Sequence, residues 1–246
     1  MWPKFRRRIE PFALAALALA SLAGCGTDNP TKAGADPGPA YLPLDSPDNL
    51  VANLATAWEA RDPAGYAALL YNGERTAEES VIAAPFAFYF DPDLPGLPSF
   101  WGRAEELVFA DCLFGGGEGK DDSGMVFPGV VKIEATLAAR DAWEFVEAST
   151  VDGDRTPKGC LRVTLDTQVV ITLEDLIAGS TVIALAATRP TGIYAVPVSV
   201  EGQPRWRLWK WDDRNLRIQH PPEGGGPGNT ELVTLSFVRR CYASPN

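Results

Sequence analysis

Apolar residues recur at helical spacing between residues 46 and 114 and alternate with polar ones beyond 130. Ser46-Pro47-Asp48 is a helix start: a capping hydroxyl, a proline at the first helical position and an acid in the first turn. Leu50, Leu54 and Trp58 follow at four-residue intervals, with Val51 and Ala55 beside them, so one face of the helix is apolar. Arg61-Asp62-Pro63 ends that helix and caps a second, which carries Tyr66, Leu69 and Leu70 and closes near Asn72-Gly73. At residues 83–90 the period changes to two, with Phe86, Phe88 and Phe90 on one side of a strand. Ser99 opens a third helix through Trp101, Leu107 and Phe109 to Phe114, stopped by Gly115-Gly116-Gly117.

The remainder reads as strands. Val131, Ile133, Ala135 and Leu137 alternate; 143–146 is a short strand or edge. Leu161, Val163 and Leu165 alternate and lead into 169–171. Segments 181–187 and 192–200 form two halves broken at Pro190. Gly202 turns the chain into Trp206-Arg207-Leu208-Trp209-Lys210-Trp211. Strict alternation sends Trp206 and Leu208 to one face and Trp209 and Trp211 to the other, where Leu232, Leu235 and Phe237 of a last strand, 232–238, would cover them.

The amino end has a different character. Lys4-Phe5-Arg6-Arg7-Arg8 precedes an apolar run from Phe12 to Ala23, too short to span a bilayer, which is the form of a secretory signal. The run ends Leu22-Ala23-Gly24-Cys25, which resembles the bacterial lipobox. That resemblance implies cleavage before Cys25, acylation of its sulfur and attachment to a membrane, and Gly26 favours the outer membrane over the inner. Glu10 and Pro11 argue against a twin-arginine signal. Residues 25–45, with Pro30, Pro37, Pro39 and Pro43, read as a flexible tether between the leader (1–24) and one domain at 46–246.

Composition narrows the chemistry. The net charge of -10 excludes the cationic footprint of a nucleic-acid binder. A single histidine, His220, removes histidine-rich metal sites and two-histidine mechanisms. No Cys-x-x-Cys is present, so neither zinc nor dithiol chemistry is expected, and no cofactor motif appears. After Cys25 three cysteines remain. An exported protein with three thiols most simply forms one pair, and Cys160 with Cys241 is favoured over pairings of Cys112, because both sit at strand ends.

Helix, helix, strand, helix and then a run of strands is an order that resembles the nuclear-transport-factor-two-like fold. The residues carrying the resemblance are Ser46 to Leu50 with Trp58, Trp101-Gly102, and Gly202 to Leu208. It implies an α+β class: three N-terminal helices packed in a highly curved antiparallel sheet, a cone, here with an extra C-terminal strand. It also implies a pocket, for which Trp58, Tyr66, Phe88, Trp101 and Trp206 are the candidate lining; filling the core is the competing role for the same rings. Enzymes of this fold pair a tyrosine with carboxylic acids, but nothing in the sequence places Tyr66 beside Asp111 or Asp166. Gly115 to Lys120 imitates a phosphate loop, but with the wrong spacing and Asp121 in place of a hydroxyl. Asp152-Gly153-Asp154 lacks the remaining calcium ligands and reads as a turn. The expectation is a membrane-anchored, non-catalytic envelope module that binds an apolar small molecule, a peptide or an envelope protein. The alternative is a small pocket enzyme using a carboxylate as acid and base.

Overall fold

The helix start at Ser46 forms as its chemistry dictates. Ser46 Oγ accepts from the Asn49 amide at 3.1 Å, and Pro47 occupies the first turn of α1 (Pro47–Glu59). Asp62 caps α2 (Pro63–Leu69) in the same manner, accepting from Gly65 N at 2.9 Å. The computed structural model describes residues 38–74, 83–120, 124–147, 149–174, 184–214 and 230–243. The leader, Cys25, Gly26, most of the tether and His220 lie outside these, and neither the fold nor any comparison supports a lipid anchor. No helix among the described residues is long and apolar enough to cross a membrane. Residues at the end of the expected tether are tied to the body: the Leu42 backbone exchanges hydrogen bonds with Asn53, and Tyr41 Oη donates to Asp62.

After α2 come two short strands, β1 (Ala87–Tyr89) and β2 (Phe100–Gly102), then α3 (Arg103–Gly115). Two small hairpins follow at different points: β3 (Gly119–Lys120) with β4 (Val126–Phe127), and β7 (Thr150–Val151) with β8 (Asp154–Arg155). The long strands are β5 (Val130–Ala139), β9 (Leu161–Leu173), β10 (Ala184–Val200) and β11 (Gln203–Asp212). Two short ones, β6 (Glu144–Phe145) and β12 (Thr230–Val233), complete the main sheet. The last described element is α4 (Leu235–Tyr242).

The main sheet runs β2-β1-β11-β10-β9-β5, with β12 beside β10 and β6 beside β9. It departs from the expected cone in three respects. The sheet is open: among the described residues no pairing joins β2 to β5, and the sheet neither closes nor curls strongly into a cone. It is mixed rather than antiparallel, since β1 runs parallel to β11 and β12 parallel to β10. Finally, there are four helices among the described residues, and the expected C-terminal strand is a four-residue strand followed by α4. The reason lies at Thr234, whose hydroxyl accepts from Phe237 N at 2.9 Å and starts a helix. From there Leu235, Val238 and Tyr242 recur at helical spacing and are buried.

Alternation on β9 and β10 sorts side chains to two faces. Val163, Leu165, Val169, Ile171, Ile193 and Ala195 meet the helices in the main core. Tyr194, Val196 and Val198 face the other way and build a smaller core with Tyr71, Cys160 and Trp209. The strand β10 continues through Pro190, against the expected break. On the β11 edge, pairing stops at Ala187 and resumes at Gly192, so a residue without an N–H is tolerated between them. On β11 the expected alternation fails at one point. Tyr194 pairs with Lys210 and Ala195 with Leu208, leaving Trp209 as the extra residue of a bulge. Trp211 is thereby returned to the main core with Leu208, while Trp209 packs in the outer core, its indole N–H on the Ala84 carbonyl at 3.0 Å.

The same two faces overturn the expected disulfide. Cys160 belongs to the outer core and Cys241 to the main core, so the sheet separates them, and Cys112, Cys160 and Cys241 form no disulfide. Burial pushes the Cys160 thiol up to about 12. Alkylation of the folded protein without reductant should therefore modify the partly exposed Cys112, while Cys160 and Cys241 react only after unfolding. Mass spectrometry checks this; a tryptic fragment linking Cys160 to Cys241 would contradict it.

Candidate functional site

Four of the five pocket residues expected from sequence converge. Trp58 comes from α1, Tyr66 from α2, Phe88 from β1 and Trp101 from β2. Trp58 meets Tyr66 edge-on at 6.2 Å, and Phe88 lies 6.4 Å from Trp101. Two further rings join them: Phe109 of α3, 6.2 Å from Trp58, and Trp211 of β11, 6.3 Å from Trp58 and 6.4 Å from Phe88. Trp206 is not part of this group; it lies partly buried near the start of β11, its amide donating to the Leu44 carbonyl.

The aromatic chamber surrounds a buried ion pair that the sequence did not announce. Glu106 of α3 and Arg239 of α4 are both fully buried. Arg239 Nη2 donates to Glu106 Oε1 at 2.8 Å and Nε to Oε2 at 2.9 Å, a forked pairing. The carboxylate accepts two more bonds, from Tyr66 Oη on Oε1 at 2.6 Å and from Trp101 Nε1 on Oε2 at 2.8 Å. Each oxygen thus accepts two hydrogen bonds. The guanidinium lies over Phe88 at 3.7 Å from the ring centre, with Phe109 at 4.9 Å, Trp211 at 5.2 Å and Trp58 at 5.7 Å. The flat, weakly hydrated cation suits these aromatic faces and can at the same time fork onto the carboxylate, which a compact ammonium cannot do.

Protonation follows from this geometry. Burial, and then the Glu106 charge, hold the Tyr66 phenol well above its ordinary value. Burial opposes the charge on Arg239, but Glu106 outweighs it and the guanidinium is held more firmly protonated than usual. The tyrosine therefore donates, the carboxylate accepts and the arginine stays charged. Neither acid considered beside Tyr66 is near it in this sense: Asp111 is exposed on α3, and Asp166 pairs with Arg140 at 2.6 Å.

The amino end of α4 is fastened by a second buried acid. Asp213 Oδ2 accepts from the amide of Ser236 at 3.0 Å and from its hydroxyl, and Ser236 Oγ also receives the Asp91 amide. Burial drives the Asp213 carboxyl up to about 6, despite the Ser236 hydrogen bonds and the positive Arg239, which pull the other way.

On the opposite face, Lys210 is fully buried and donates to Tyr89 Oη at 2.7 Å, the Val151 carbonyl at 2.9 Å and Asp154 Oδ2 at 2.9 Å. Arg214 bridges Asp152 and Asp212. The Asp152-Gly153-Asp154 sequence is thus a turn, with both Asp152 and Gly153 at positive φ, whose acids neutralise cations of the protein. Among the described residues no three histidine, cysteine or acidic side chains are placed to hold a metal. A separate open groove of about 370 Å³ crosses β5, β9 and β10 beside Thr136, Arg140, Asp166, Gln168 and Pro190.

Glu106 and Arg239 were the residues missed. A signal existed: Glu106 shares a helical stripe with Phe109, Ala110 and Leu113, and Arg239 one with Leu235 and Tyr242.

No family model and no curated protein matches the chain. Among solved structures it is distantly similar to the following three, two of which are described as NTF2-like. A conserved protein from Planctomyces limnophilus aligns over 67% of this chain and 88% of its own at 12% identity and a TM-score of 0.38. A putative dehydratase of the NTF2-like family from Streptomyces avermitilis aligns over 66% and 89% at 12% identity and 0.37. An NTF2-like superfamily protein from Salmonella enterica serovar Typhimurium aligns over 71% and 92% at 11% identity and 0.36.

The raised carboxyl of Asp213 has a defined sign. Its folded value lies above the usual unfolded one, so its contribution is fully present below about pH 4 and is lost as pH rises through about 6. Urea unfolding across pH 4 to 8 should show wild type losing about 3 kcal/mol relative to Asp213→Asn over that interval. A difference between the two proteins that does not vary with pH would contradict it.

Proposed function

We propose that the domain is a non-catalytic binding or interaction module, not a small acid–base enzyme. The observation that carries this reading is the saturation of Glu106. A general base must have a lone pair within reach of a substrate proton. Here Tyr66, Trp101 and both donors of the Arg239 fork occupy the carboxylate, and the rings that would line a pocket stack on the guanidinium. An apolar ligand would have to displace a charged, hydrogen-bonded side chain to enter.

The reading leaves binding to other surfaces of the domain or to a state in which α4 has moved. The groove over β5, β9 and β10 is open, and the Arg140–Asp166 ion pair lies along it, so a segment of a partner that brings both apolar and charged side chains would suit it.

The enzyme alternative makes a distinct prediction. If Glu106 were an acid–base catalyst, the protein would exchange protons α to the carbonyl of a small ketone, ester or 3-hydroxy ester set incubated in deuterium oxide, and Glu106→Gln would not. The module reading expects the same exchange, at the buffer rate, for both proteins by proton NMR. Exchange that is faster with wild type and lost in Glu106→Gln would overturn it.

A further inference from the structure

The rings around Arg239, and the other donors to its carboxylate, come from elements other than the helix that carries it. The rings come from α1, β1, α3 and β11, and the carboxylate is held by Tyr66 of α2 and Trp101 of β2. The rings also pack on one another, so the wall has contacts of its own. What α4 contributes at the centre of these rings is one guanidinium, while its Leu235, Val238 and Tyr242 pack in the surrounding core. A carboxylate fixed in a plane, with aromatic faces around it, is a receptor for a planar forked cation.

We propose that this chamber is a guanidinium-recognition site and that Arg239 is its occupant in cis, so that α4 competes with an external ligand carrying a guanidinium group. The inference rests on the reading that Glu106 serves binding and not proton transfer. Charge fixes the ligand class. Removing the occupant leaves an uncompensated buried carboxylate, which disfavours a neutral guest and repels an anion. Shape narrows it further: Glu106 offers the two donors of one face of a fork an oxygen each, a geometry an ammonium cannot use. The wall is also incompletely satisfied, since the buried indole N–H groups of Trp58 and Trp211 have no hydrogen-bond acceptor among the described residues. A ligand with an acceptor beside its guanidinium, as an arginine in a peptide has, would bring one.

Two arms test this on the full chain with ethylguanidinium chloride as the probe. In Arg239→Ala the chamber is vacated, and the melting temperature should fall. Ethylguanidinium should then raise it saturably, half-maximally at on the order of 1 mM, whereas propylammonium and sodium chloride at equal ionic strength should not. The rise should vanish in Arg239→Ala/Glu106→Gln. If Arg239→Ala does not fold unaided, recovery of folded protein after dilution from urea is read instead, with and without the probe. Recovery with ethylguanidinium alone supports the proposal. Recovery with neither cation, an equal effect of propylammonium, or a rise that survives loss of Glu106 overturns it.

The second arm uses wild type and hydrogen exchange at the amides of α4. A ligand that binds only when Arg239 has left multiplies the open population by one plus its concentration over its dissociation constant. At ten times the half-saturating concentration, exchange in α4 should therefore rise about tenfold. Unchanged exchange in α4, or an equal acceleration across the sheet, would overturn the competition. Catalytic exchange dependent on Glu106 would sink the module reading while leaving both arms able to succeed or fail on their own.

Discussion

Taking a carboxylate and a guanidinium out of water costs several kcal/mol for each ion, and only excellent geometry offsets it. Glu106 and Arg239 meet that condition. The carboxylate receives four hydrogen bonds, the guanidinium supplies two of them, and aromatic faces take the place of water around the cation. The pair joins α3 to α4 across 133 residues of sequence. It fixes where α4 lies, what fills the space between helices and sheet, and which groups are withheld from chemistry. Tyr66, Trp58, Phe88 and Trp101 owe their arrangement to a common centre as much as to their own contacts.

The other face of the sheet solves a related problem with a different cation. Lys210 is as buried as Arg239, but its three donors point in separate directions and find a phenol, a backbone carbonyl and a carboxylate. A point charge with three rotatable donors suits scattered acceptors, whereas a rigid fork suits one carboxylate. Both cations depend on the bulge at Trp209. By adding one residue to β11 it directs Trp211 to the Arg239 chamber and Lys210 to the acids of the β7–β8 turn. A small irregularity in one strand thus supplies both cores.

Local chemistry was legible in the sequence and long-range chemistry was not. The starts of α1 and α2 could be read because a cap, a proline and an apolar stripe lie within a few residues of one another. Trp58, Tyr66, Phe88 and Trp101 could be gathered into one place because each lies on the apolar side of its own element. The bulge left no mark, since alternation carries no sign of where it will slip. It misplaced Trp211, and the same assumption of unbroken strands turned α4 into a strand and joined Cys160 to Cys241. Glu106 and Arg239 were visible only as charges on otherwise apolar faces, and their meaning depends on each other. The cone was inferred from element order, which does not specify whether a sheet closes.

The central claim is that Glu106 and Arg239 form one energetic unit holding α4 in the aromatic chamber. A double-mutant cycle by urea unfolding with Glu106→Gln, Arg239→Met and the combination measures this most directly. The account predicts that each single change costs about 3–5 kcal/mol, since each strands a buried charge or donor, while the double variant loses markedly less than the two singles together. Losses that simply add, or single changes that cost nothing, would contradict it.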